Sequence, residues 1–506
     1  MSSAPDARVK SASSEIQHEL WLICPICKQP NQAGTLHCKH CWGASLYAVT
    51  PVTNEQLAEF VQKRNKRLNR LRLLRNLVIG IGAPLLLVSM ALYWVYAFTD
   101  LLFTPPAYLN STSLQGDWTM FRHDPSRTGA TDIIDTNPRG ELKWSFQTGG
   151  EISSSPTVVN GIVYFGSRDF KLYALDIDTG QKQWEFATES WVESSPVVAN
   201  GIVYFGSNDG KLYALDALTG HKLWDFQTKY VVKSTPAVAG DTVYFGGDDY
   251  FIYALDAKTG EKKWDFKTES YVMSSPVIYD GILYVGSMDS SCYALNAEDG
   301  RFRLRLKTRE EEHLPFEVNG KMIYYPTRRY IFTEVTSAPS VSGDIVYFTS
   351  GSHLYAMDGK ARNWPREEDL RPWWIEFWAF GMAPPPPPVS GFEWKMKLTY
   401  TSSNTTPVID ETTLYTTGDS RVLRIDLTTK EFDWTFRTGG TIRSSPALAN
   451  GVLYVGSNDG RLYAINAQDG NPLWNFQTDG KITSSPTYAN GVIYVTSWDG
   501  KLYAIE

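Results

Sequence analysis

Cysteine is scarce in this chain of 506 residues, and its five members are unevenly placed. Four lie within 18 residues, as Cys24-Pro-Ile-Cys27 and Cys38-Lys-His-Cys41, whereas Cys292 stands alone in the rest of the chain. A lone cysteine cannot build an internal disulfide framework, so the long C-terminal part must be stable without one.

Positive charge is also sparse over most of the chain. Residues 1–76 carry 11 Lys and Arg against 5 Asp and Glu, which leaves 37 against 50 for residues 77–506. This acidic bulk argues against nucleic-acid binding by the large C-terminal part. An apolar content of 42% excludes a disordered chain, and the length exceeds one ordinary core. We therefore expect several domains or a repeat array.

The two cysteine pairs have the spacing of a metal site. Two Cys-x-x-Cys pairs separated by ten residues can present four thiolates to one Zn²⁺. The pattern resembles the zinc-ribbon family, which implies a structural Zn²⁺ on Cys24, Cys27, Cys38 and Cys41. A pair of disulfides is the alternative, and it requires an oxidising compartment. We predict a zinc ribbon over 21–46, after a disordered N-terminus at 1–20.

The next stretch is typical of two successive helices with different chemistry. A capping box at Thr53–Gln56 opens a helix over 53–76, and seven Lys and Arg crowd its second half. Residues 77–98 then contain no charge, and 22 residues of helix measure about 33 Å, close to the thickness of a hydrocarbon core. We predict a basic amphipathic helix followed by one transmembrane helix.

The basic residues set the orientation of this predicted span. By the positive-inside rule the N-terminus is cytoplasmic, and the chain after about residue 100 is extracytoplasmic. Reduced thiolates in the N-terminal part agree with that orientation. We expect a single-pass protein of the cell (inner or plasma) membrane. The basic helix can also dock on anionic lipid headgroups, or it can act as a topology signal alone.

A repeat of about 40 residues fills most of the remaining chain. Its period is marked by prolines in similar Ser/Thr-rich contexts: Pro156, Pro196, Pro236, Pro276, Pro407, Pro446 and Pro486. A typical unit contains Asn-Gly, Asp-Gly and Thr-Gly turn signals between short apolar and aromatic runs. Four strands joined by tight hairpins are the signature of a propeller blade.

Residues at one position of the repeat count the blades. Each marks an outermost strand: Trp144, Trp184, Trp224, Trp264, Leu304, Trp394, Trp434 and Trp474. Trp144 precedes the first full repeat, and the sequence ends before a ninth such strand, so residues 141–148 can complete the last blade and remove its free edges. We predict an all-β, eight-bladed β-propeller of four-stranded antiparallel blades over 141–506, after a linker and entry segment at 99–140.

The repeats resemble pyrroloquinoline-quinone-type (PQQ-like) propellers. Ala174-Leu-Asp-Ile-Asp-Thr-Gly-Gln-Lys-Gln-Trp184 matches their tryptophan-docking motif, and the entry segment Asp117–Gly129 is also similar. The resemblance covers about residues 117–506 and implies that the seven tryptophans dock each blade on its neighbour. The family includes quinoprotein dehydrogenases and non-catalytic scaffolds, such as the lipoprotein of the outer-membrane β-barrel assembly machinery.

Two departures from the family's enzymes argue against catalysis. Those enzymes carry adjacent cysteines beside the quinone, and this sequence has no Cys-Cys pair. They also hold Ca²⁺ with residues from long insertions, whereas the regular blades here are minimal. The aspartates that recur once per blade, such as Asp169 and Asp209, are typical of turn chemistry. We therefore predict no catalytic residues, and neither PQQ nor Ca²⁺.

One blade is irregular. Leu304 and Trp394 are 90 residues apart, so about 50 extra residues fall into insertions at about 309–335 and 360–393, which we expect on opposite faces. The second insertion contains the run Pro384–Pro388 and aromatic residues that include Trp373, Trp374, Phe377, Trp378 and Phe380. These aromatics either pack back on the propeller or bind a partner or a membrane interface.

We predict a membrane-anchored, extracytoplasmic propeller that acts as a protein-binding or assembly scaffold, with a cytoplasmic zinc-ribbon module. An unknown protein partner would bind the propeller face or the 360–393 insertion, and the lipid bilayer would hold the transmembrane helix. The alternatives are a PQQ- and Ca²⁺-dependent, membrane-linked dehydrogenase, or a transmembrane ligand sensor.

Overall fold

The computed structural model describes residues 20–41, 45–77, 80–81, 83–98, 130–131, 137–308, 310–318, 321–331, 333–364, 366–398 and 405–506. The predicted disorder before residue 20 and the entry motif at 117–129 lie outside the described residues. The chain divides into two units, residues 1–102 and 103–506, and each is described by itself.

The N-terminal unit begins with a small antiparallel hairpin of β1 (Trp21–Ile23) and β2 (Pro30–Gln32). Helix α1 (Asn54–Leu77) follows, and its start is a capping box. The Thr53 backbone N–H donates to Gln56 Oε1 at 3.1 Å, and the Gln56 backbone N–H donates to Thr53 Oγ1 at 3.4 Å. Two donors that lack partners within the helix are thereby satisfied, as the sequence predicted.

The structure describes the predicted span at 77–98 only in part. Helix α1 ends at Leu77, residues 80–81 form a short π-helical turn, and α2 (Ala83–Phe98) has 16 residues. Pro84 lies in the first turn of α2, a position where proline is tolerated in a helix. Among the described residues, no helix combines enough length with enough apolar character to cross a bilayer.

Among its described residues, the C-terminal unit contains eight sheets of four consecutive antiparallel strands, one of which gains a fifth, parallel strand at its edge. This arrangement confirms the eight-bladed propeller. Blades 1 and 2 consist of β5 (Thr157–Val159), β6 (Ile162–Gly166), β7 (Lys171–Asp176), β8 (Lys182–Ala187), β9 (Val197–Ala199), β10 (Ile202–Gly206), β11 (Lys211–Asp216) and β12 (Lys222–Gln227). Blades 3 and 4 consist of β13 (Ala237–Ala239), β14 (Thr242–Gly246), β15 (Phe251–Asp256), β16 (Lys262–Lys267), β17 (Val277–Tyr279), β18 (Ile282–Ser287), β19 (Ser291–Asn296) and β20 (Phe302–Lys307).

The remaining blades follow the same order. Blades 5 and 6 consist of β23 (Ser340–Ser342), β24 (Ile345–Ser350), β25 (His353–Asp358), β26 (Phe392–Lys397), β27 (Val408–Asp410), β28 (Thr413–Gly418), β29 (Arg421–Asp426) and β30 (Glu431–Arg437). Blades 7 and 8 consist of β31 (Ala447–Ala449), β32 (Val452–Gly456), β33 (Arg461–Asn466), β34 (Pro472–Gln477), β35 (Thr487–Ala489), β36 (Val492–Thr496), β37 (Lys501–Ile505) and β4 (Leu142–Gln147).

The two ends of this unit meet in blade 8. Strand β4 pairs antiparallel with β37, with Trp144 opposite Ala504. The backbone groups of Glu141 and Glu506 exchange hydrogen bonds of 2.8 and 2.9 Å. The predicted closure of the ring by residues 141–148 is therefore confirmed. A further short strand, β3 (Ala130–Thr131), lies parallel to β31 at the inner edge of blade 7.

Both insertions contain regular structure, and only the second one interrupts a blade. The first is a hairpin of β21 (Glu310–Val318) and β22 (Lys321–Ile331) between blades 4 and 5, so the first strand of blade 5 is the later β23. The second lies between β25 and β26 and contains helix α3 (Glu367–Ala379), which the all-β prediction lacked. The third and fourth strands of a blade are antiparallel, so the insertions leave from opposite ends of the blades, as expected.

The core lies between neighbouring blades. The inner three strands of each blade are almost wholly buried, whereas fourth strands such as β8 alternate between exposed and half-buried residues. Aromatic rings stack within this core, for example Phe205 on Tyr213 with centroids 5.3 Å apart. We call the blade ends that hold the turns between second and third strands, together with the connections between blades, the upper face.

Candidate functional site

Four cysteine sulfurs come together in the N-terminal unit. All four Sγ atoms lie within 4.8 Å of one another, with Cys24 3.7 Å from Cys41 and Cys27 3.5 Å from Cys38. A tetrahedral Zn²⁺ with bonds of about 2.3 Å holds its sulfurs about 3.8 Å apart. The cysteines are not joined by disulfides, and their arrangement can hold a metal ion of this kind.

Hydrogen-bond donors surround these sulfurs. The His40 backbone N–H lies 3.4 Å from Cys38 Sγ, and Asn31 Nδ2 lies 3.6 Å from it. Burial by itself raises the pKa of the Cys38 thiol, but hydrogen bonds from His40, Cys41 and neighbouring side chains outweigh burial and lower this pKa to about 6. Burial raises the pKa of Cys27 to about 12. Since zinc binds thiolates, the donors around Cys38 favour metal loading.

The seven docking tryptophans lie on the fourth strands of their blades. Trp224 shows the pattern: its Nε1–H donates to the Ala257 carbonyl of the next blade at 3.1 Å, and a Cβ on Gly260 would lie 2.7 Å from its ring. The same bond to the following blade, or to Pro138, is made by Trp144, Trp184, Trp264, Trp434 and Trp474. Trp394 instead lies under the ammonium of Lys430, at 5.3 Å. These contacts join neighbouring blades.

The aspartate that recurs in each regular blade is used by the fold. Asp209 accepts a hydrogen bond from the Tyr213 hydroxyl at 2.8 Å and another from the Glu189 backbone N–H at 3.1 Å. Equivalent tyrosine bonds reach Asp169, Asp249, Asp289, Asp459 and Asp499. Cys292 is fully buried, and burial raises the pKa of its thiol. Neither feature offers a reactive group.

The upper face of blades 1 to 3 carries five exposed aromatic side chains, which the sequence argument missed. We call them the aromatic arc: Phe170, Trp191, Tyr230, Tyr250 and Tyr271. The rings of Tyr250 and Tyr271 lie 5.1 Å apart in an edge-to-face arrangement. Backbone hydrogen bonds hold the loops together, since Asp248 N–H donates to the Val231 carbonyl and Val272 N–H donates to the Gly247 carbonyl.

Two members of the arc hold an unfavourable backbone conformation. Phe170 has φ +73° and Tyr250 has φ +76°, a region that costs a bulky side chain about 1–2 kcal/mol. At the equivalent turn, blades 2, 7 and 8 have Gly210, Gly460 and Gly500, with φ between +80° and +86°. Both side chains nevertheless remain partly open to solvent, with 44% of Phe170 and 37% of Tyr250 exposed. The sequence does contain a signal for these residues: when the repeats are aligned, Phe170 and Tyr250 occupy a turn position where other repeats have glycine.

Charged residues next to the arc are largely paired with one another. The Arg168 guanidinium lies 5.0 Å from the Trp191 ring and 4.8 Å from the Trp498 ring, and it donates to Glu193 at 2.7 Å. Lys233 lies 3.8 Å from the same Glu193 carboxylate. Because these charges are paired, the aromatic side chains are the main groups that this part of the upper face offers to a binding partner.

A PQQ-type quinone is the cofactor that the fold implies. Arg168, one of the cations on this part of the upper face, is already paired with Glu151 and Glu193, so an anionic quinone that binds Arg168 would have to displace both carboxylates. The described residues there include no adjacent thiols. These residues do not form a ready cradle for the quinone, and the absence of PQQ and Ca²⁺ stays a prediction.

The aromatic residues of the second insertion belong to α3 and to the segment after it. Trp373, Phe377, Trp378 and Phe380 are 62%, 48%, 49% and 68% exposed, so they do not pack back on the propeller. Trp374 is half-buried, because its Nε1–H donates to the Pro384 carbonyl at 2.9 Å and its ring meets Trp364 edge to face. The structure therefore leaves an apolar surface here.

Several solved structures share this fold. BamB from Moraxella catarrhalis is 16% identical with a TM-score of 0.55, over 72% of this chain and 97% of that chain. A europium-containing methanol dehydrogenase is 14% identical with a TM-score of 0.57, over 77% and 98%. A quinohemoprotein alcohol dehydrogenase from Comamonas testosteroni is 16% identical with a TM-score of 0.58, over 79% and 81%. Likeness at these identities shows the fold alone, and no curated protein matches the chain.

Sequence comparison is more specific than the fold. The family described as outer membrane protein assembly factor BamB matches residues 129–249, 227–360 and 376–506. These matches cover most of the chain and include all eight blades, in agreement with the PQQ-like repeats that the motifs indicated. The chain therefore belongs to the family of the outer membrane protein assembly factor BamB.

Proposed function

We propose that this protein is a membrane-anchored scaffold whose propeller binds other proteins outside the cytoplasm. The observation that carries this proposal is the aromatic arc, in which Phe170 and Tyr250 are exposed and held at positive φ where three other blades have glycine. Backbone strain at exposed side chains is a mark of a functional surface. Exposed Trp and Tyr side chains are also the residues most enriched at protein interfaces.

The membership of the family supports a binding role. The family is described as an assembly factor, and a propeller scaffold needs a recognition surface but no reactive group. The paired charges around Arg168 and Glu193 favour a partner segment that is mainly uncharged where it meets the arc. An acidic C-terminal part makes a nucleic-acid partner unfavourable.

The N-terminal part supplies the anchor and a second module in this proposal. Residues 77–98 contain no charge and follow seven Lys and Arg, which favours a membrane segment with the N-terminus in the cytoplasm. The four-cysteine cluster would hold a structural Zn²⁺ in that reducing compartment. The propeller would then lie outside the cell (inner or plasma) membrane.

A photoreactive amino acid at Trp191, in the full chain in its native membrane, tests the binding role. The control carries the same group at Leu218, which is 70% exposed in a turn at the opposite end of blade 2. We expect a crosslinked protein at position 191 but not at 218. The double variant Phe170→Gly, Tyr250→Gly should weaken that crosslink while the fold becomes no less stable, because glycine relieves both strained turns. An unchanged crosslink in this variant would refute the role of the arc.

A membrane-linked PQQ dehydrogenase is the second candidate, and it is favoured by the shared fold of the two solved dehydrogenases. Adding PQQ with Ca²⁺ to the purified chain should then give a bound chromophore and dye-linked alcohol oxidation. The scaffold proposal expects neither. A ligand sensor that couples the two units is the third candidate, and ligand-dependent protection of the cysteine cluster from chelators would support it.

A further inference from the structure

The far end of α3 and the residues after it form an apolar projection from blade 5. We call residues 373–382 the α3 tip; its sequence is Trp-Trp-Ile-Glu-Phe-Trp-Ala-Phe-Gly-Met, and Glu376 is its one charged residue. Its large exposed side chains are Trp373, Ile375, Phe377, Trp378, Phe380 and Met382. An exposed apolar surface of this size is unusual for a part of a protein that contacts only water.

The base of α3 is held in place by its acidic first turn, whose three carboxylates all have partners. Glu367 is buried and accepts hydrogen bonds from Asn363 Nδ2 at 2.7 Å and from the Ser390 backbone N–H at 2.9 Å. Glu368 pairs with Lys307 of blade 4 at 2.6 Å. Asp369 pairs with a neighbouring arginine of the same turn. The acidic first turn of the helix therefore anchors it and leaves little charge to face a ligand.

The proline run after the helix stiffens the projection. Trp374 donates to the Pro384 carbonyl, and Arg371 Nη1 donates to the Pro387 carbonyl at 2.5 Å. A proline run prefers an extended conformation with little freedom to lose. The tip is thus held on a rigid stem formed by the helix and the returning chain.

The apolar residues of the tip do not form a single stripe. Trp373, Phe377 and Phe380 are spaced by four and three positions, so they share one side of the helix. Trp378 and Ile375 point to other sides at 100° per residue, and both are exposed. A protein groove covers one side of a helix, whereas lipid can surround the whole tip.

We propose that the α3 tip inserts into the interfacial region of a lipid bilayer and holds the propeller against the membrane that carries its anchor. Trp and Phe favour the headgroup level of a bilayer, and amphipathic segments enter it by about 5–10 Å. Since Glu376 is the one charge of the tip, this contact depends on apolar burial and not on anionic lipid. The inference rests on the proposed membrane anchor and adds a second point of attachment.

The test uses the full chain reconstituted into phosphatidylcholine vesicles. An environment-sensitive fluorescent amino acid replaces Phe377, and a matched chain carries it at Leu218, which is 70% exposed on the propeller. We expect phosphatidylcholine with bromine near the headgroup to quench the label at 377 several-fold more than the label at 218. Replacing part of the lipid with anionic phosphatidylglycerol should not increase that quenching. Serine at both Trp373 and Phe380 should reduce it.

The outcomes separate this inference from the anchor on which it rests. If the protein floats with the vesicles and the label at 377 is quenched no more than the label at 218, the tip is not in the bilayer and the inference is wrong. The inference would also be wrong if the lipid did not quench the label at 377 and self-association of the chain shielded that label from water. The tip would then contact a second copy of the chain. If the protein does not float with the vesicles, the proposed anchor itself fails.

Discussion

The contact between Gly260 and Trp224 gives a quantitative test of how blades hold together. The two residues belong to neighbouring blades, and a Cβ on Gly260 would lie 2.7 Å from the Trp224 ring. Gly260 also has φ +75°, so alanine there is penalised twice, once by the backbone and once by the ring. Gly201 has nearly the same φ, +76°, but nothing lies within 4 Å of its Cβ position, which makes it a matched control.

The expected costs follow from these two terms. Gly201→Ala should reduce the free energy of unfolding by about 1–2 kcal/mol, the cost of a left-handed residue with a side chain. Gly260→Ala should reduce the free energy of unfolding by about 1–3 kcal/mol more than Gly201→Ala does, because the Trp224 ring must move from its packed position. Trp224→Ala should cost about 3–5 kcal/mol, since it removes a buried side chain and its bond to Ala257.

A double-mutant cycle separates the two terms. In the Trp224→Ala background, Gly260→Ala should cost only what Gly201→Ala costs, because the ring that it would meet is gone. Guanidinium unfolding of the four variants and the parent chain, followed by circular dichroism, gives the midpoints and slopes to compare. Equal losses for Gly260→Ala and Gly201→Ala in the parent chain would show that the Trp224 ring does not pack tightly against Gly260.

Three other outcomes are expected. Cys24→Ser should lose bound Zn²⁺ in metal analysis, whereas Cys292→Ser should keep it, because Cys292 is buried far along the sequence from the cluster; full zinc in Cys24→Ser would contradict four-cysteine ligation. Burial, opposed by Lys233 and reinforced by Asp249 and Glu193, raises the pKa of Asp248 in the folded protein. The folded state then binds the Asp248 proton more tightly than the unfolded state, so ionisation of this carboxyl destabilises the fold. This penalty is absent below the unfolded pKa of about 3.9 and fully present above the folded pKa. Asp248→Asn should therefore raise the melting temperature more at neutral than at acid pH, and Asp241→Asn, at an exposed position, should not; a gain independent of pH would contradict this. Deleting residues 501–506 should cause aggregation in light scattering, because blade 8 loses β37 and exposes the strands beside it, whereas deleting Glu506 alone should not; a soluble, monomeric truncated chain would show that the closure is dispensable.

Short-range chemistry made much of the fold predictable from the sequence. The hairpin turns repeat with a period near 40, and Trp144 stands one repeat before Trp184, which together gave eight blades and the strand that closes the ring. The cysteine spacing likewise brought four sulfurs within 4.8 Å of one another. These features depend on residues that are close in sequence or that occupy fixed positions of a repeat, so their geometry is nearly local.

The second insertion shows where local reasoning failed. Pro372 is a poor signal for a helix interior, and the sequence predicts an insertion here without indicating a helix. Helix α3 forms there because its first turn is held by contacts with residues distant in sequence, such as the bond between Glu367 and Ser390 and the ion pair between Glu368 and Lys307. Tertiary contacts therefore outweigh the weak local propensity.

The sequence by itself determined the number of blades, the way the ring closes and the cysteine set, because repeats and turn residues encode them position by position. Only the tertiary structure decided which surfaces are open. Phe170 and Tyr250 became notable when the register placed them at glycine positions with positive φ, and the exposure of Trp373 and Phe377 depended on what α3 packs against. Exposure is a property of the whole chain's packing, so no local pattern could have fixed it.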